Sequence, residues 1–130
     1  MSSKNILKLM KDKEIEFVDF RFTDPRGKLQ HLTMDATIVD DEMLEEGVFF
    51  DGSSIAGWKA INESDMILKP DLARPIVDPF NSHNTLNIFC DILDAVKKES
   101  YERDPRGTAK KAENYLKKSG VGDKAYFGPE

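Results

Sequence analysis

Residues 50–58, which read FDGSSIAGW, form the stretch on which the interpretation of this chain depends. They combine one carboxylate, two hydroxyl groups, two glycines and the only tryptophan of the chain. Gly52 and Gly57 permit backbone angles with positive φ and let another chain or a ligand approach closely. Asp51 can accept hydrogen bonds and act as a base, and Ser53 and Ser54 can donate or accept. The alternative is a tight turn in which these side chains bond to their own backbone.

A β-hairpin is predicted before this stretch. In residues 16–22, apolar and polar side chains alternate with the period of two that is typical of a half-buried strand. The next four residues, Asp24-Pro25-Arg26-Gly27, have the composition of a turn, with proline second and glycine fourth. Residues 28–34 then supply the returning strand.

Two short helices are predicted on either side of this hairpin. Ser2 or Ser3 can cap the first, which carries apolar side chains on one side and lysines on the other. Asp40 or Asp41 can cap the second, and Gly47 is its expected end. The acidic residues of the second helix indicate a solvated helix face near a helix N-terminus, in preference to a metal site.

Strands are predicted again after the central stretch. Residues 65–69 form a short strand that ends at Pro70, and residues 76–77 form a short edge strand. Residues 85–93 alternate most clearly, which places Cys90 among core positions as a small buried hydrophobe. His31 and His83 lack the spacing of metal ligands, and structural roles are favoured for both.

The last part of the chain predicts a helix and the start of a further strand. Residues 95–102 are charged and indicate a linker. Asp104-Pro105 places aspartate at the N-cap and proline at the first helical position, and Gly120 follows the helix. Residues 124–128 are the expected strand. Taken together, the patterns predict an α+β chain with a mixed sheet of about four or five strands and small helices.

Composition limits the classes of function. The chain has 130 residues, of which 39% are hydrophobic and 33% charged, as expected for one globular domain. Its net charge of −5 and the lack of a basic patch argue against nucleic acid as a partner. The sequence has no apolar run of membrane-spanning length, and its first residues lack the apolar region of a secretory signal, so no such signal is expected. Because Cys90 is the only cysteine, a disulfide framework is excluded and a cytoplasmic location is expected.

Several short motifs accompany the central stretch. In chain order, with that stretch among them, the motifs are Phe17-Val18-Asp19, Arg21-Phe22-Thr23-Asp24, residues 50–58, Asn62-Glu63-Ser64-Asp65-Met66, Asp78-Pro79-Phe80, Asp91-Ile92-Leu93, Arg103-Asp104-Pro105-Arg106 and Phe127-Gly128-Pro129-Glu130. Together they resemble the N-terminal domain of class I bacterial glutamine synthetases. Each motif is weak by itself, but all of them occur in the family's order from one end of the chain to the other.

This resemblance implies a fold and a division of the chain. Residues 1–102 are expected to form a β-grasp N-terminal domain with a mixed sheet and small helices. Residues 103–130 are expected to be the first helix and strand of a truncated catalytic domain. Proteins of this family are much longer, so the chain alone is expected to lack ligase activity.

The resemblance also implies a chemistry. Enzymes similar to this chain use ATP to phosphorylate glutamate, and ammonia then displaces the phosphate to give glutamine. Their active sites lie between neighbouring subunits of a homo-oligomer, expected to be a dodecamer of two stacked hexameric rings. Asp51 matches the position that binds ammonium and takes its proton, a role suited to an ionised carboxylate. Ser53, Ser54 and Asp65 match positions that support this loop.

A metal ligand is implied at the end of the chain. Glu130 matches the first of the family's strand-borne glutamates, which hold Mg²⁺ or Mn²⁺. Hard ions of this kind prefer oxygen ligands, but one terminal carboxylate does not hold a metal alone. Metal and ATP are therefore expected only in the full-length protein.

Two alternatives stay open. A β-grasp domain can be a non-catalytic interaction module, because fold does not determine function. A related ligase could join glutamate to an amine other than ammonia. The combination of Asp51 with Ser53 and Asp65 argues against the interaction module, since a mere scaffold would not need these residues. The setting of Asp51 in Asp51-Gly52-Ser53-Ser54 favours the ammonia-using enzyme over the ligase for another amine.

Overall fold

The computed structural model describes residues 1–55 and 65–129. In chain order, the described residues form the following helices and strands: α1 (Ser3–Asp12), β1 (Phe17–Thr23), β2 (Leu29–Asp35), α2 (Asp41–Glu46), β3 (Val48–Asp51), β4 (Asp65–Pro70), β5 (Ile76–Val77), β6 (Thr85–Asp94) and α3 (Pro105–Ser119). Single turns of 3₁₀-helix lie at Ala36–Ile38 and Gly52–Ser54.

The strands join in one mixed sheet with the order β2-β1-β6-β4-β3, and β5 pairs with β6 off this path. The central pair, β1 and β6, is parallel, while the other pairings are antiparallel. The predicted hairpin is confirmed, with Phe17 opposite Asp35 and Thr23 opposite Leu29. This arrangement is the β-grasp fold that was expected.

The hydrophobic core lies between α1, α2 and one face of the sheet. Alternation along β1 and β6 directs one set of side chains into this core. Its members come from α1, α2, β1, β3, β4, β6 and two connecting segments: Ile6, Met10, Ile15, Val18, Phe20, Phe22, Val39, Leu44, Val48, Met66, Leu68, Leu86, Ile88, Cys90 and Ile92.

The helix ends follow the capping residues that the sequence contains. Ser2 caps α1, and Asp40 caps α2 by accepting a hydrogen bond from the Met43 N–H at 2.8 Å. Asp104 caps α3 and also accepts a hydrogen bond from the Ile92 N–H at 3.1 Å. Since Asp104 is almost fully buried, it ties the start of α3 to β6.

Two expectations about strands are corrected. Residues 124–128 form no strand, because no described strand lies beside them to complete a hydrogen-bonded ladder, and Tyr126 and Phe127 are exposed. Residues 48–51 form the strand β3, although Phe50 and Asp51 were assigned to a loop. Val48 and Phe50 alternate with Phe49 and Asp51, which is a strand signal too short to stand out beside the glycines and serines that follow.

Candidate functional site

Asp51 is the last residue of β3 and lies opposite Asp65, the first residue of β4. Both side chains are exposed. Directly opposed residues of an antiparallel pair have their Cβ atoms about 4.5–5.5 Å apart, and two like charges there repel each other. A cation bound nearby would relieve that repulsion. The sheet therefore brings two carboxylates together at the two ends of the segment 52–64.

Ser53 fixes the conformation of the Asp51 carboxylate. The Ser53 backbone N–H donates to Asp51 Oδ1 at 2.9 Å, and the Ser53 hydroxyl donates to the same oxygen at 2.7 Å. Asp51 is thus the N-cap of the 3₁₀ turn Gly52–Ser54. The tight-turn alternative describes this local geometry correctly, and it also leaves the carboxylate exposed at the surface.

Ser54 is the last residue of the same turn. It borders an open pocket of about 210 Å³ together with Phe50, Asp51 and Ile55. Phe22 of β1 and Gln30 of β2 also border this pocket. These two residues belong to the surroundings of the Asp51 turn, and no local sequence pattern signals this, since only the curvature of the sheet brings them there.

One expected site residue, the metal ligand Glu130, lies outside the described part of the chain. Residues 56–64, which include Trp58 and most of the motif Asn62-Glu63-Ser64-Asp65-Met66, also lie outside it. The structure therefore brings together Asp51, Ser53, Ser54 and Asp65.

The histidines and the cysteine occupy structural positions. His31 Nδ1 lies 2.8 Å from Asp19 Oδ1, and the His83 ring packs edge-on against Phe17 with centroids 5.5 Å apart. Burial raises the pKa of the Cys90 thiol, so it stays protonated and unreactive. Among residues 1–55 and 65–129, no group of three or more His, Cys, Asp or Glu side chains is arranged to hold a metal ion.

The carboxylates of Asp19 and Asp78 accept hydrogen bonds on the face of the sheet opposite the core. Burial alone would raise the pKa of Asp19, but hydrogen bonds from Arg21, Thr33 and His31 together hold it below its ordinary value. The pKa of Asp78 is lowered by hydrogen bonds from the Asn87 side chain and the Phe80 backbone. Arg21 joins these two carboxylates, donating through Nε to Asp19 at 2.7 Å and through Nη2 to Asp78 at 3.3 Å.

Comparison with known protein families identifies the family to which this chain belongs. The family model described as glutamine synthetase, beta-Grasp domain, matches residues 14–95, which is more than half of the chain. The chain belongs to the glutamine synthetase family. The matched region contains Asp51, Ser53, Ser54 and Asp65.

Relatives of the chain are glutamine synthetases over essentially its whole length. It is 60% identical to glutamine synthetase of Rhizobium meliloti (strain 1021) over 129 residues, which cover 99% of this chain and 28% of that protein. It is 52% identical to glutamine synthetase of Escherichia coli (strain K12) over 130 residues, again covering 28% of the relative. The chain therefore spans less than a third of the length of these curated relatives.

A solved structure has the same fold. The chain superposes on glutamine synthetase of Plasmodium falciparum, determined by cryo-EM, with a TM-score of 0.81 and 27% sequence identity. The superposition covers 92% of this chain and 23% of that one. Among the described residues, no helix is both long enough and apolar enough to cross a membrane.

Proposed function

We propose that this chain is the N-terminal part of an enzyme that makes glutamine from glutamate and ammonia with ATP. In this proposal, its β-grasp domain supplies the Asp51 loop to the active site of a neighbouring subunit. The observation that carries it is the exposed Asp51 carboxylate, held by Ser53 and placed opposite Asp65. The membership in the glutamine synthetase family supports the reaction type.

Asp51 would perform two steps. Its negative charge, reinforced by Asp65 across the ladder, attracts an ammonium ion in preference to a neutral molecule. The carboxylate then accepts one proton from ammonium, which leaves the neutral ammonia whose lone pair can attack an activated carboxyl group. Ser53 would hold the accepting carboxylate in position, and Ser54 would support the turn. Asp65 would contribute charge rather than bonds to the substrate.

The described residues do not fit a metal site, since no suitable group of ligands occurs among residues 1–55 and 65–129. We therefore assign Mg²⁺ or Mn²⁺ and ATP to other parts of a longer protein. Glu130 would be a metal ligand only there. No step of the mechanism that we assign to this chain depends on the metal.

The division of the chain and its assembly are also part of the proposal. Residues 1–102 would be the β-grasp domain, and residues 103–130 would begin the catalytic domain. A homo-oligomer, a dodecamer of two stacked hexameric rings, would bring Asp51 of one subunit to the site of the next. The enzyme would act in the cytoplasm, and residues 1–130 alone would have no ligase activity.

The test compares Asp51→Ala with Asp41→Ala in the longest natural chain that carries this sequence. Asp41 is an exposed aspartate on α2 and does not cap that helix, so its variant removes the same charge elsewhere. The measurement is ATP- and ammonia-dependent glutamine formation, with assembly checked by size. We expect Asp51→Ala to lose about 10²- to 10⁴-fold in rate, the usual contribution of a positioned base, while still assembling.

Three results would count against the proposal. If Asp51→Ala is as active as the unchanged chain, the protein would still be a ligase, but Asp51 would have no role in the reaction. Equal losses in both variants would indicate a general effect of charge. A longest chain without any glutamine formation would favour the non-catalytic interaction module.

A further inference from the structure

The β1–β2 hairpin contacts β3, the strand that ends at Asp51. The rings of Phe22 on β1 and Phe50 on β3 have centroids 5.4 Å apart and an interplanar angle of 43°. In the sheet, β6 and β4 separate these two strands. The ring contact therefore means that the sheet curls until the hairpin reaches the strand that carries Asp51.

Beside this contact lies an open pocket that both parts of the chain share. Its volume is about 210 Å³, and its wall is largely apolar, with polar side chains from both the hairpin and the Asp51 turn. The hairpin and the turn contribute to it in similar measure: Phe22, Gln30 and Leu32 on one side, and Phe50, Asp51 and Ser54 on the other.

The hairpin is a rigid support for this contact. Asp24 is almost fully buried and accepts hydrogen bonds from the Arg26 and Lys28 N–H groups, both at 2.9 Å. It also accepts one from Gln30 Nε2 at 3.0 Å. The bond from Gln30 is the main cause that lowers the pKa of Asp24, so the carboxylate stays charged and keeps its donors. Gln30 is thereby fixed beside the pocket.

We propose that Phe22, supported by Gln30, is a positioning residue that sets the location of the Asp51 carboxylate. This inference rests on the proposed function. Phe50 precedes Asp51 in β3, so the packing of the Phe50 ring against Phe22 acts on the strand that ends at Asp51. The bonds from Ser53 fix the carboxylate relative to its own turn, and the β3–β4 ladder fixes Asp51 relative to Asp65. The ring contact between Phe22 and Phe50 adds a support from the β1–β2 hairpin to the strand that ends at Asp51.

The test measures ammonium dependence in the longest natural chain that carries this sequence, with Phe22→Leu beside Phe20→Leu. Phe20 lies on the same strand and the same face and is fully buried, but it does not line the pocket. We expect Phe22→Leu to raise the KM for ammonium and thereby to reduce kcat/KM for ammonium by up to about 100-fold, the effect of a displacement of roughly 1 Å at a reacting group. The KM values for glutamate and ATP should stay unchanged.

A purely structural role would produce a different pattern. Loss of folded protein lowers kcat for all substrates and leaves every KM in place, as we expect for Phe20→Leu. Equal ammonium KM values in the two leucine variants would overturn the inference. If Phe22→Leu does not fold, Gln30→Ala decides: a raised ammonium KM supports the positioning role, and an unchanged one contradicts it.

The inference and the proposed function fail in distinguishable ways. If Asp51→Ala keeps its full rate, the proposed function is wrong, and the positioning role falls with it. If Asp51→Ala loses its rate while neither Phe22→Leu nor Gln30→Ala changes the ammonium KM, only the positioning role is wrong.

Discussion

The Asp51 side chain caps a turn and is also the base in the proposed reaction. As N-cap of the turn Gly52–Ser54 it accepts two hydrogen bonds from Ser53, which orders the carboxylate before any substrate arrives. As an exposed acid opposite Asp65, it lies where negative charge is concentrated. An ordered base loses less conformational entropy when it engages a cation, so the cap and the proposed chemistry support each other.

The variant Ser53→Ala tests whether the hydrogen bonds from Ser53 support the proposed chemistry of Asp51. The variant removes the hydroxyl donor and keeps the backbone N–H donor, so the Asp51 carboxylate loses one of its two bonds from Ser53. We expect glutamine formation by the longest natural chain to fall by about tenfold, the equivalent of one hydrogen bond of roughly 1.4 kcal/mol. Ser119→Ala, which removes a hydroxyl bonded to Leu116 on α3, is the control. Unchanged activity of Ser53→Ala would contradict the positioning role of the hydroxyl.

Strand β3 depends on the glycine that precedes it. Gly47 ends α2 with φ of +98° and lets the chain turn directly into β3. A Cβ atom at this position would come within 2.6 Å of both Ile67 Cγ2 and the Leu68 carbonyl oxygen on β4. Gly47 therefore allows the close approach of β3 to β4, and this pairing places Asp51 opposite Asp65.

Gly47→Ala is expected to destabilise the chain strongly. The variant combines an unfavourable backbone conformation with a steric clash against β4, and we expect the free energy of unfolding to fall by more than about 2 kcal/mol. Gly27→Ala is the matched control, because Gly27 has φ of +83° but open space around its Cβ position. It should lose only about 1 kcal/mol. Equal losses in urea unfolding would show that the clash has no effect.

The elements could be predicted from sequence wherever local chemistry determines them. The turn at residues 24–27, the caps at Ser2, Asp40 and Asp104, and the alternation in β6 all act over a few residues. Strand β3 was missed, because four residues give too short a pattern and its pairing partner β4 lies beyond the central stretch. A strand at residues 124–128 was wrongly predicted, since β-forming side chains do not make a strand without a partner.

At the scale of the whole molecule, a polar layer covers the face of the sheet away from the helices. Asp19, Thr85 and Asn87 are buried there although they are polar. Asp19 accepts hydrogen bonds from Arg21 and Thr33, and Asn87 donates to Asp78 at 2.9 Å. These bonds join β1, β2, β6 and the loop after β5. Much of the stability of this face consequently depends on carboxylates that remain ionised.

Asp19→Asn tests this dependence through pH. The pKa of Asp19 is lowered in the folded chain, so the unfolded chain binds the proton first as the pH falls. The stabilisation is complete above the unfolded pKa of about 3.9 and is lost as the pH falls through the folded pKa. We expect the variant to be less stable than the unchanged chain at pH 7, with the difference shrinking in acid. Urea unfolding at several pH values measures it, and a difference that grows in acid would contradict the assignment.

The curvature of the whole sheet could not be predicted from residue patterns. Alternation indicates which face of a strand is buried, but it does not indicate that Phe22 reaches Phe50 across two intervening strands. Resemblance to a family supplied the β-grasp fold and the importance of Asp51, while the positions of Phe22 and Gln30 in the pocket beside its turn required the structure. Long-range packing of this kind depends on the sum of many strand twists.

The most direct measurement is the ammonium dependence of Asp51→Asn in the longest natural chain that carries this sequence. Asparagine is nearly the same size as aspartate and is an equally good N-cap, so the turn should persist while the charge and the base are removed. We predict normal assembly, a raised ammonium KM and a loss of about 10²- to 10⁴-fold in the rate of glutamine formation. An Asp51→Asn variant with the ammonium KM and the rate of the unchanged chain would contradict the proposal that this loop binds and deprotonates ammonium.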